Sequence, residues 1–207
     1  MSVSNDELFD RGELLQAISG AVVTAPYVDL GRVPDGDAAA ALGGRTVATL
    51  EAYADTMVPG EKRFRDDRAV AGAARGPGAV HAGAVRLLRH PDFGLEPMLP
   101  GLAIVLNGHA ISYAAARAIV LNPLLPPLVG LPFRHRAALL ERLCASDNED
   151  RLVWIGLGVL ACLAVDLANQ RPGLWRYRDF AARRALARPA QGTHRPATSD
   201  IPDELSA

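Results

Sequence analysis

Lysine is almost missing from this sequence. Of its 22 basic Lys and Arg residues, Lys62 is the sole lysine, and arginine supplies the rest. With so much Ala and Gly, the skew reports a GC-rich coding bias more than arginine chemistry, and Lys62 reads as a solvated charge. Two cysteines, Cys144 and Cys162, are too few for a disulfide framework, and each sits in an apolar helical pattern as a small hydrophobe. The five histidines are scattered singly, with no CxxC or HxxxH spacing, so no metal site is expected. Neither GxGxxG nor GxxxxGK[ST] occurs, and no serine stands in a nucleophile elbow, so nothing points to a bound nucleotide or other cofactor. A formal net charge of -1 leaves no global field to draw in nucleic acid.

What is present is helical. Hydrophobic residues make up 49% of the 207, an amount that fits one domain with a useful core. Strand signals are weak, while apolar residues recur at helical spacing. The expectation is an all-α single domain of six or seven helices around one buried apolar helix.

Its parts follow along the chain. Residues 1–19 hold an N-terminal helix over 6–19 that resembles a worn export signal. Arg11 lacks a second arginine, and Asp6, Glu7 and Asp10 make the leading segment acidic, so it is read as retained and the protein as cytoplasmic. Residues 20–44 read as an irregular arm rich in Gly, Pro and Asp, and 45–188 as the helical domain. In "TLEAYADTMVPGEKRF", Val47, Leu50, Ala54 and Met57 share a face until Pro59 disfavours a helical residue before it and Gly60 permits a reversal. Further helices are expected over 67–74, 79–89, 102–119, 132–145 and 149–169. The proline-rich stretch 121–133 is expected to lie non-helical against the core or a partner, or, if the protein is an enzyme, to line its pocket. The run 152–165 is too short to span a bilayer and ends at Asp166. Residues 189–207 read as a disordered tail.

Five residues are candidates for chemistry. Glu51 and Asp55 lie one turn apart and suit either an acid/base pair or a rim pair facing Lys62, Arg63 or Arg65. Asp166, on an otherwise apolar helix, must be paired, protonated or near the helix end; partial exposure or a salt bridge with an arginine is expected, and a role in a pocket is the alternative. His109 and Tyr113 share a helix face and could offer a proton donor and a hydroxyl, or simply be core. Beyond the central helix, Trp175, Arg176, Tyr177 and Phe180 form an aromatic and arginine strip suited to a protein partner. The same strip could equally close on its own core.

The segments "TLEAYADTMVPGEKRF", "DRAVAGAARGPGAV" and "GLWRYRDF" resemble a family of small helical proteins from actinobacterial secondary-metabolite gene clusters. The "ADT-x-x-PG" element is also similar to the small subunit of gluconate-type dehydrogenases. The resemblance implies a helper or small subunit of a flavin-dependent oxidoreductase in natural-product biosynthesis, with that flavoprotein as partner. The alternative is a cofactor-independent cyclase, isomerase or lyase acting on an apolar small molecule.

Overall fold

The computed structural model describes residues 10–27 and 42–170. Within them are seven bounded α-helices and no strand: α1 (Arg11–Thr24), α2 (Gly44–Met57), α3 (Ala84–Leu88), α4 (Leu99–Ala115), α5 (Pro127–Gly130), α6 (Phe133–Leu143) and α7 (Arg151–Gln170). The all-α single domain is as expected, but several boundaries moved for identifiable reasons.

The start of α1 is set by Asp10, whose carboxylate accepts from the Glu13 amide at 3.0 Å and caps the helix. Gly20 does not stop it. The helix runs on to Thr24, whose hydroxyl donates to the Gly20 carbonyl at 2.8 Å, and a 3-10 turn follows over Ala25–Tyr27. Residues 20–27 are therefore helical rather than part of an arm. Leu14, Ile18 and Ala21 bury one stripe of α1 against α7. The approach is close because Gly156 has no side chain, and a Cβ there would strike Ile18. Arg11 pairs with Asp150 at 2.8 Å, tying the two helix starts together.

Helix α2 packs against α3, α4, α5, α6 and α7, which makes it a hub of the fold. Its stop at Val58 has a purpose beyond ending the helix. The backbones of Gly60 and Gly78 lie against each other so closely that a Cβ on either would collide with the other's main chain. The Ala79 amide donates to the Val58 carbonyl at 3.0 Å and the Glu61 amide to that of Gly76 at 2.8 Å. Two Pro-Gly dipeptides thus form a clasp, and only glycine fits at its centre. Lys62 is exposed beside it, its stem over Gly72.

The helix expected over 67–74 does not form. Side chains compete for its backbone: the Val70 amide donates to Asp67 at 3.1 Å and the Ala71 amide to Asp55 at 2.8 Å. Helix α3 is only five residues, because Gly83 before it takes a left-handed conformation at φ 81°. Two 3-10 turns, Pro91–Phe93 and Glu96–Met98, lead into α4, which starts three residues before the expected Leu102. It ends early as well, where Ala118 adopts φ 52°.

Within 121–133, expected to be non-helical, Pro127 opens the single-turn helix α5. Asn107 holds it, accepting from the Leu128 amide while donating to Thr49 on α2, both at 3.0 Å. Leu128, Val129 and Leu131 are buried, so this stretch lies on the core and does not line the groove described below.

Helix α7 buries Val153, Trp154, Leu157, Leu160, Ala161 and Ala164, and it leaves Leu152, Ile155 and Val159 exposed on its other face. It continues past Asp166 to Gln170. The spans 96–115 and 151–170 are each long and apolar enough to cross a membrane, by length and composition alone, and each is about half buried within the domain.

Candidate functional site

Glu51 and Asp55 diverge although they lie one turn apart. Glu51 makes a two-pronged pair with the Arg63 guanidinium at 2.6 and 2.7 Å, and Arg63 also grips Asp67 at 2.6 and 3.1 Å. Burial alone would lower the pKa of Arg63, but its bonds to Asp67 and Glu51 overcome this and raise it. Burial pushes Asp67 upward; Arg63 and the Val70 amide outweigh that and hold it below the usual carboxylate range. Asp55 is buried with both oxygens occupied, one by the Gly60 amide at 3.3 Å and the other by Ala71 at 2.8 Å. Burial raises its pKa, opposed by those two amides and by Arg136. Of the two readings open for the pair, Glu51 follows the rim one and faces Arg63, while Asp55 turns inward, so the two carboxylates hold separate parts of the fold.

Arg136 is a structural residue that no sequence motif marks. It is buried and donates to the carbonyls of Leu131, Ala69, Arg68 and Val129 at 2.7–3.0 Å, stitching the 68–69 loop to α5 and α6. An arginine inside an apolar-stripe helix was its only signal.

His109 and Tyr113 do not form a common pocket. The Tyr113 hydroxyl bonds to His135 Nδ1 at 3.3 Å, and the Arg117 guanidinium lies 4.6 Å from its ring centre. His109 sets its ring edge-on to Trp154 with centroids 6.0 Å apart. Its buried Nε2 has no hydrogen-bond partner among the described residues. Burial lowers the His109 pKa, with Asp150 opposing, so the ring is neutral near pH 7.

The feature that could receive another molecule lies on α7. Met57, Cys144, Ile155, Gly158, Val159, Cys162, Leu163 and Asp166 line an open, almost wholly apolar groove of about 500 Å³. Gly158 sets its depth, because a Cβ there would run into the end of Met57. Beneath it, the buried Tyr53 hydroxyl donates to the Trp154 carbonyl, and burial raises its pKa. Burial also raises the Cys144 thiol, which stays protonated and unreactive as a nucleophile at neutral pH. Asp166 is exposed at the rim. Among the described residues its partner is Gln170, at 2.7 Å, and not an arginine.

The stripe Ile155, Val159, Cys162, Asp166 was readable at helical spacing. What hid the groove is that only folding shows which apolar face stays uncovered. Among the described residues no group of three or more His, Cys, Asp or Glu side chains could hold a metal ion. Trp175, Arg176, Tyr177 and Phe180 lie outside the described residues.

A family model described as a family of unknown function (DUF5987) matches residues 44–172. The chain belongs to this family. No curated protein and no solved structure matches it. The DUF5987 span contains α2, the Pro-Gly clasp and every residue lining the groove, so hub and groove belong to one family unit. Helix α1 and the strip from Trp175 onward lie outside that span.

Proposed function

We propose that the chain is a cytoplasmic accessory subunit of a larger flavin-dependent oxidoreductase in natural-product biosynthesis, engaging its partner at the C-terminal end of α7. The observation that carries this reading is the apolar groove of about 500 Å³, uncovered by any described residue. A soluble domain leaves such a face open where something else is to cover it. Support also comes from the polar candidates: Glu51, Asp55 and Tyr113 are engaged in bonds that hold the fold. The sequence resemblance to dehydrogenase small subunits supplies the class of partner. The test is co-purification of the tagged chain with a flavoenzyme encoded beside it. Association that survives both Trp175→Ala and Phe180→Ala, in folded protein, overturns this placement of the interface.

A second reading has one observation in its favour. A groove of this size with a single carboxylate, Asp166, at its rim suits an enzyme acting on an apolar intermediate. Turnover of such a compound by the purified chain alone, abolished by Asp166→Asn, would put this reading in place of the first.

A further inference from the structure

Among the described residues, one cluster of cations has no anion. Tyr113, in the last turn of α4, is buried, and two guanidinium groups lie over its ring. That of Arg117 is 4.6 Å from the ring centre, and that of Arg142, on α6, is 5.6 Å from it. The two charges are therefore no more than about 10 Å apart and repel each other. A third arginine, Arg134, donates from Nε to His135 Nε2 at 3.2 Å, and His135 Nδ1 is 3.3 Å from the Tyr113 hydroxyl. Arg117, Arg134 and Arg142 are all exposed, and none has a carboxylate in ion-pair range among the described residues. Arg134 and His135 also stand in the first turn of α6, where no acidic residue does, against the dipole of that helix.

The hydrogen bonds leave one donor unspent. A guanidinium can only donate, so His135 Nε2 must accept, and the proton of the neutral ring sits on Nδ1. Nδ1 then donates to the Tyr113 oxygen, and the phenolic hydrogen has no acceptor among the described residues. We infer that Tyr113, Arg117, Arg134 and Arg142 form a site for a phosphoryl oxyanion, with His135 as the positioning residue that turns the hydroxyl hydrogen away from its own ring. The donor set selects the class. One guanidinium fork satisfies a carboxylate, whereas a phosphoryl group presents three oxygens and a charge approaching -2. Three guanidinium groups and a phenol match it in both charge and donors. Free phosphate and a small phosphate ester share this chemistry. None of these residues lines the apolar groove, so the site does not depend on what covers that face. All of them lie within the matched family span.

Titration of the full chain with inorganic phosphate, at constant pH and ionic strength, tests the assignment. The His135 ring resonances in proton–carbon NMR should move along a saturable curve with a millimolar midpoint, while those of His81 and His90 stay in place. Arg117→Gln and Arg142→Gln should each weaken binding about ten-fold, the worth of one charge-assisted hydrogen bond. Tyr113→Phe, which keeps the ring and removes the donor, should weaken it too. Arg151→Gln, at an exposed arginine outside the cluster, should bind as the native chain does. Circular dichroism melting establishes that each variant is folded. Tighter binding of phenyl phosphate than of inorganic phosphate assigns the site to an organic ester, and the reverse order assigns it to the free ion. Three results overturn the inference: no saturation with either phosphate, equal affinity when Arg117→Gln and Arg142→Gln are combined, or benzoate moving His135 as readily as phenyl phosphate. No flavoenzyme takes part in these titrations, so failure here and failure of the accessory-subunit reading are distinguishable.

Discussion

Replacing Arg63 by methionine removes the centre of the Glu51–Arg63–Asp67 triad while keeping most of the stem volume. Four hydrogen bonds of 2.6–3.1 Å disappear, and two carboxylates are left facing each other in a largely dry site. The Asp67 side chain is 2% exposed and that of Glu51 18%, so water can rehydrate one but hardly the other. Breaking a buried pair from one side costs about 3–5 kcal/mol, and the partial exposure of Glu51 favours the lower end, about 3 kcal/mol. The effect has a pH signature. The pKa of Asp67 is depressed in the folded state, so its contribution is present above the unfolded carboxylate value and is lost as pH falls through the folded one. Without Arg63 that depression goes, and the gap between native and variant protein should narrow towards pH 3.5. Urea unfolding followed by far-ultraviolet circular dichroism at pH 7 and 3.5 measures both quantities. Adding Glu51→Gln and Asp67→Asn to the variant should recover at least about 1 kcal/mol, because the stranded charges are gone. A native-to-variant difference under about 1 kcal/mol at pH 7, or one that widens in acid, would refute the reasoning.

The Pro-Gly clasp predicts that Gly60→Ala is costly despite adding one methyl group. The Cβ meets the Gly78 backbone, so the clasp must open, and overpacking with loss of two backbone bonds should cost about 2–4 kcal/mol in the same assay. Gly108, with nothing near its Cβ position, is the control: Gly108→Ala should be neutral or stabilising by up to about 1 kcal/mol. His109 has a lowered pKa in the folded state, so the unfolded chain binds its proton first as pH falls below the ordinary histidine value. Stability should therefore fall from pH 7 to pH 5. His109→Gln should flatten that slope but not remove it, because His81 is depressed by burial as well.

The parts of the fold that a local pattern specifies were legible. The α2 stripe and its stop at Val58 depend on residues within one turn of each other, and so does the apolar run of α7. The parts set by distant partners were not. Residues 67–74 have helical composition, yet Asp55, twelve positions before that stretch, takes one of its amides. Asn107 fixes α5 from another helix, and no spacing rule foretells that. The site shows the same division. Glu51 and Asp55 stand one turn apart beside an apolar stripe, and an i,i+4 spacing cannot tell a shared task from two separate ones. The groove was hidden for the converse reason, since an apolar stripe looks the same in sequence whether covered or open.

Helix α1 and helix α7, which pack together, stand at opposite ends of the described chain. That arrangement imposes an order on biosynthesis. Leu14, Ile18 and Ala21 leave the ribosome long before Arg151, and at roughly 5–20 residues per second they wait on the order of ten seconds for the surface that shelters them. The hub α2 and its clasp, closed between Val58 and Ala79, can form in the meantime, because a short loop closes at small entropic cost. Helix α1 can meet the Pro91–Phe93 turn earlier, but it completes its packing only once α7, the last described element in chain order, has been made.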